Sequence, residues 1–412
     1  MELILGCSSC LAIFALFLSV RGDDVESLRL VQILYRHGDR TPIDVFPKDV
    51  WKDSWSEGLG ELTNLGKQQQ FELGQYFRKR YDGYLNKTFH PDWIYVRSTD
   101  KDRTLMSAMV NLAGLYPPAG QQVWNDNIPW QPIPVHTLPL EEDYEMSTDS
   151  VCAKYDEEFE AVKRSPEVVA FNEKHKDLFA ELSNYTGLNI RDVFTMSDIY
   201  DVLFIEHVHN KTLPEWADKQ NLASLKMCQL LDFDWTYKTN EMRRLRGGPL
   251  LGRMLRNMQD KIDGRIDAMQ AFFYSGHDMT IIALLTVLNL YDHIQPPYAS
   301  SIMVELHQVE GNYSVKILYR NSTTAEPYEL QLSNCTSPCP FSRFAELVAP
   351  QIPADIKKEC AKATFDDNIA LISAITASIL GCTLLMLIVA AYAFYRRNSD
   401  QYRYFNIHSD NI

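Results

Sequence analysis

The stretch from Ile369 to Phe394 is 26 residues long and carries no formal charge. A helix of that length crosses about 30 Å of hydrocarbon with some tilt. Arg396 and Arg397 follow at once, and the positive-inside tendency puts that end in the cytosol. A buried core helix is the competing reading of such a run. With residues 368–395 as a transmembrane helix and 396–412 as a cytosolic tail, the body over 23–367 must fold on the luminal or outer side. A shorter apolar run, Leu11 to Val20, precedes Arg21-Gly22-Asp23-Asp24. It is short for a span and reads as the core of a signal peptide over 1–22, cleaved near Gly22. Its leading residues hold Glu2 and no Lys or Arg, so an uncleaved anchor is the alternative.

This topology predicts where modifications fall. Asn86, Asn184, Asn210, Asn312, Asn321 and Asn334 each head an Asn-x-Ser/Thr triplet, and all lie between the two apolar runs. Cys7 and Cys10 fall in the signal and Cys382 in the membrane run, which leaves five cysteines in an oxidising lumen. Cys335 and Cys339 flank Thr-Ser-Pro and read as a local bridge. Cys152 with Cys360 would close a very long loop, leaving Cys228 over. A net charge of −14 argues against a nucleic-acid binder, which needs a basic face. Any anionic ligand must be held by local cations.

Within the body, Leu28 to Tyr35 is almost continuously apolar and reads as a strand buried on both faces. Trp93–Val96 and Ala271–Tyr274 read as further strands. Each runs through a polar turn into a helical pattern, predicting an α/β fold with a mainly parallel central sheet flanked by helices. Thr63 is placed to cap a helix to about Tyr81, with Leu65, Phe71, Tyr76 and Phe77 as its buried face. Leu105–Leu112 and Met279–Leu288 read as the helices after the other two strands. Ser301–His307 and Tyr313–Tyr319 read as a hairpin. From about 141 to 264 the pattern becomes charged and helical, which predicts an inserted helical subdomain.

Chemistry gathers where those strands end. After the first comes Arg36-His37-Gly38-Asp39-Arg40-Thr41-Pro42. Guanidinium forks match phosphate oxygens, and Gly38 lets backbone approach closely. After the second, Arg103 falls near a helix start, where a cation opposes the helix dipole; a solvated charged turn is the plainer reading of residues 97–103. After the third comes Ser275-Gly276-His277-Asp278, two titratable groups suited to acid-base work, although Asp278 could serve as a helix cap. Open α/β sheets bind ligands at such strand ends.

These motifs, with Leu62-Thr63-x-x-Gly66, Arg97-Ser98-Thr99-Asp100, Trp130-Gln131-Pro132-Ile133-Pro134-Val135-His136 and Phe344-Ala345-Glu346-Leu347-Val348, resemble the histidine acid phosphatase branch of the phosphoglycerate-mutase-like superfamily. The likeness runs from Leu28 to Cys360. It implies that His37 becomes a phosphohistidine and that Arg36, Arg40, Arg103 and His277 hold the phosphate of a monoester. It further implies that Asp278 protonates the leaving oxygen, with no metal or cofactor and an acid optimum. A homodimer through Trp130 and His136 is implied as well, against ordinary packing of an aromatic in a proline-rich loop. A further disulfide of the family would match Ile205 and Ser301, so it is absent here. In the tail, Tyr402-Arg403-Tyr404-Phe405 resembles an adaptor-binding sorting signal. The expected destination is the lysosomal membrane, with plasma membrane or release after cleavage as alternatives. Competing activities are a phytase-like or sugar-phosphate phosphatase, and a catalytically silent receptor for phosphorylated ligands.

Overall fold

In the computed structural model, residues 25–361 and 365–409 are described; the expected signal segment, 1–22, lies outside them. Strand β1 (Leu28–Arg36) is apolar on both faces because it occupies the middle of a sheet covered on both sides. Leu30 and Leu34 enter one core, while Val31, Ile33 and Tyr35 enter the other. It leads to α1 (Asn64–Arg80), β2 (Ile94–Ser98) and α2 (Asp102–Leu115). Six helices follow: α3 (Ala153–Lys163), α4 (Pro166–Lys174), α5 (Lys176–Thr186), α6 (Val193–Val208), α7 (Lys219–Thr236) and α8 (Asn240–Ile262). The chain then forms β3 (Ala271–Gly276), α9 (Asp278–Val287), β4 (Ser301–Val309), β5 (Asn312–Arg320), β6 (Tyr328–Leu330), β7 (Cys339–Pro340), α10 (Phe341–Val348) and α11 (Ile356–Cys360).

The sheet runs in the order β2-β3-β1-β4-β5-β6, with β7 also on β5. β2, β3 and β1 are parallel, whereas β4, β5, β6 and β7 pair antiparallel. This corrects the expectation of a mainly parallel sheet: the sheet is mixed. Half of the reason is local. Glu310 and Gly311 between β4 and β5 both have positive φ, 50° and 82°, the geometry of a two-residue hairpin turn that forces antiparallel pairing.

Helix α1 starts where expected, with the Thr63 side chain accepting from Gly66 N–H. Its buried face differs from the expected one. Gly66, Gln70, Leu73, Gly74 and Phe77 point inward, while Leu65 is exposed and Phe71 and Tyr76 are half-buried. A Cβ on Gly74 would lie 2.0 Å from Asn111 O, and one on Gly114 2.2 Å from Phe71 O. The two helices cross backbone to backbone, so glycine lies at the contact and leucine at the rim.

Helices α3 to α7 surround a core of their own, including Phe179, Leu182, Met196, Leu203 and Leu225. Helix α8 straddles both layers. Met242 and Leu245 join the helical core, while Leu250, Leu251, Met254 and Met258 pack on the sheet. Disulfides join Cys152 to Cys360 and Cys335 to Cys339, and Cys228 is free and buried. The chain beyond Cys360 is a second unit containing α12 (Phe365–Ser409). Within it Ile375–Arg397 is the one helical stretch among the described residues long and apolar enough to cross a membrane. The side chains beyond Arg397, Tyr402 included, lie outside those described.

Candidate active site

The three parallel strands end at one level: Arg36 pairs in register with Gly276, and Ser98 with Ser275. The six side chains singled out from sequence converge there. His37 is buried, and its ring lies edge-on to His277 with centroids 5.5 Å apart. Arg36 reaches Asp278 Oδ2 at 2.9 Å. Arg40 and Arg103 are close enough for their charges to act on both histidines.

The peptide after His37 is pressed against the start of α1. A Cβ on Gly38 would lie 2.2 Å from Gly66 O, and one on Gly66 2.1 Å from Asp39 O, so neither position admits a side chain. His37 Nδ1 lies 2.7 Å from Gly38 O. A carbonyl only accepts, so Nδ1 carries the hydrogen and the Nε2 lone pair is left free. Burial, and then the charges of Arg36, Arg103, His277 and Arg40, hold His37 well below the ordinary histidine range. His277 is lowered too, by burial first and then by Arg103. Its Nε2 sits 2.9 Å from Thr99 Oγ1.

Each arginine has a fixed bearing. Arg36 donates to Pro296 O at 2.6 Å and lies 4.2 Å over the Tyr298 ring. Arg40 grips Asp201 with both terminal nitrogens, at 2.9 and 3.2 Å. Arg103 donates to Gly60 O at 3.5 Å; burial and the neighbouring Arg40 lower it to about 10. The Nε groups of all three are buried without a partner, which leaves N–H donors for an anion. Arg97 turns elsewhere and pairs with Asp143 and Glu145.

Asp278 is the first residue of α9, with His277 as its N-cap. Its Oδ1 accepts from Met279 N–H and its Oδ2 from Gln295, at 2.8 and 3.3 Å. Burial alone would raise this carboxyl, but Arg36, Arg40 and His277 outweigh it, and the net direction is downward. Asp39 of the motif is buried and faces away. It bonds Thr63 Oγ1 at 2.5 Å and meets His209 Nε2 at 2.8 Å. Sequence reasoning missed Asp201, Tyr298 and Gln295, which no local motif marks, and gave Thr99 no role although it lies in the quoted Arg97–Asp100 motif.

Residues 27–320 match the family model of the histidine phosphatase superfamily (branch 2), and the chain belongs to that family. Prostatic acid phosphatase of Bos taurus is 43% identical over 346 residues, covering 82% of this chain and 89% of its own length. Lysosomal acid phosphatase of Homo sapiens is 39% identical, covering 89% of this chain and 88% of its own. Among solved structures, the apo phytase of Hafnia alvei superposes with a TM-score of 0.61 at 19% identity, over 82% of this chain and 98% of that one. That likeness shows the fold.

Proposed function

We propose that this chain is an acid phosphatase hydrolysing phosphate monoesters through a phosphohistidine on His37. One observation carries the reading: a buried, neutral imidazole with Nδ1–H fixed on Gly38 and a free Nε2, ringed by three arginines. Phosphoryl transfer needs positioning and charge stabilisation above all. Arg36, Arg40, Arg103 and His277 hold the phosphate oxygens while Nε2 attacks phosphorus. The P–O ester bond breaks as Asp278 gives its proton to the leaving oxygen. Water then attacks the phosphohistidine, Asp278 takes the water's proton, the P–N bond breaks, and phosphate leaves.

This cycle needs Asp278 protonated, yet Arg36 holds it in the carboxylate form. A phosphate dianion resolves the conflict by claiming Arg36 and adding negative charge beside Asp278, which raises the carboxyl's affinity for its proton. Acid conditions push the same way. The test is His37→Ala beside Asp278→Asn on the purified luminal body. We expect His37→Ala to lose at least about a thousandfold in kcat and to trap no acid-labile phosphoenzyme from labelled substrate. Asp278→Asn should lose about a hundredfold or more on alkyl phosphates and much less on nitrophenyl phosphate. Equal losses on both esters would remove Asp278 from the general-acid role.

The body is read as luminal, on a single-pass protein of the lysosomal membrane. Support comes from the apolar helix ahead of Arg396 and Arg397, from the two disulfides, and from sequon asparagines that are exposed at five positions and half-exposed at Asn321. Glycosidase treatment of membrane-derived protein should increase its mobility, and intact vesicles should shield the body from added protease. The exposed Trp124 and Trp130, joined by a 2.7 Å bond from the Trp124 indole to Trp130 O, support the homodimer reading, which light scattering of the luminal body checks.

A further inference from the structure

A monoester attacked by His37 presents its leaving oxygen to Asp278, so the rest of the leaving group extends past that carboxyl. Beyond Asp278 and Arg40 lies a cavity of about 180 Å³, walled by α6, α7 and the chain after β1. Its charge is lopsided. Asp44, Asp198, Asp201 and Asp232 line it, and Arg40 is the one cation among the described lining residues. Asp201 is answered by Arg40, and Asp232 accepts from Ser197 Oγ at 2.7 Å. Asp44 and Asp198 are exposed at the mouth.

A second observation is independent of these charges. Gln229 lines the same cavity and is only 5% exposed, and its side-chain Oε1 is buried with no hydrogen-bond partner. Buried acceptors are almost always met by a donor. Here the lining donors are already engaged, Ser197 on Asp232, Gln295 on Asp278 and Arg40 on Asp201, and the other polar groups are carboxylates. The buried Phe233 adds an aromatic wall, a surface that favours an ammonium group.

We infer that this cavity is the leaving-group subsite and selects phosphate monoesters whose alcohol portion carries a protonated amine. The ammonium donates to Gln229 Oε1 and to the carboxylates of Asp198 and Asp232. The same carboxylates repel a leaving group that bears further phosphates. The inference rests on the phosphatase reading above, so its test must separate the two. Burial raises Asp232 to about 6, and the measurement belongs above that pH.

The experiment compares kcat/KM at pH 6.5 for three aryl phosphates with para-aminomethyl, para-methyl and para-carboxymethyl groups, and for inositol hexakisphosphate. The cationic ester should exceed the neutral one by about tenfold and the anionic one should fall below it by about tenfold, with the spread narrowing in high salt. Inositol hexakisphosphate should be poorer than the methyl ester. The paired change Asp198→Asn with Asp232→Asn should bring the cationic-to-neutral ratio toward one. If that variant does not fold, the series on the unaltered protein decides alone. A flat or reversed series with normal turnover of the methyl ester, or a preference for inositol hexakisphosphate, overturns the inference and leaves the phosphatase reading standing. Failure to hydrolyse the methyl ester overturns the phosphatase reading itself.

Discussion

In the proposed cycle, a histidine that attacks phosphorus at acid pH must keep its Nε2 lone pair when free imidazole would be protonated. His37 does so by burial and by facing guanidinium charges, which lower its proton affinity. The neutral fraction rises with pH through the folded-state value, and that value lies well below 6.5. The acid limb of kcat/KM should therefore fall well below pH 6.5, and a pH–rate profile with that limb near 6.5 would contradict the geometry. Arg40 owes its bearing to Asp201. Asp201→Asn should lower kcat/KM by about tenfold to a hundredfold, mostly through KM, whereas a merely structural role would leave the KM share unchanged. The six convergent side chains were legible in sequence because each sits within four residues of a strand end or opens the following helix. Asp201 and Tyr298 were not, since they reach the site from chain far away. Nothing around Ile199–Asp201 distinguishes that carboxylate from any other on a charged helix.

At the scale of elements, glycine decides how closely the layers approach. The strand and helix pattern was readable because β1 is apolar on both faces and Thr63 is a competent cap. The face of α1 was misread because periodicity weighs large apolar residues, and the contact with α2 is made where side chains are missing. Gly74→Ala would put a Cβ 2.0 Å from Asn111 O and cannot be relieved by a rotamer change. We expect a loss of about 2 kcal/mol or more, measured by urea unfolding. Leu65→Ala, on the exposed side, should cost much less. The mixed sheet was half visible: the hairpin could be read locally, but its docking on β1 is a long-range pairing without a sequence mark.

Across the whole molecule, buried carboxyls and buried histidines oppose each other in pH dependence. Burial, with Asp49 beside it, raises Glu206 to about 8 from an ordinary 4.5. The folded state therefore holds a proton that the unfolded state releases between those values, and Glu206 adds stability as pH falls from 8 toward 4.5. His37 and His277 act with the opposite sign below 6.5. Glu206→Gln removes only the first contribution, so the variant's Tm relative to the parent should be more favourable at pH 8 than at pH 5. The Cys152–Cys360 bridge closes a loop spanning 208 residues. Replacing both cysteines by serine should cost about 4 kcal/mol, measured by thermal unfolding. That bridge also changes what a protease can accomplish. A cut at any peptide bond between Cys152 and Cys360 leaves the two pieces held covalently, so a nicked protein runs as one species until reductant is added. The helical half of the molecule can thus be scored without being severed.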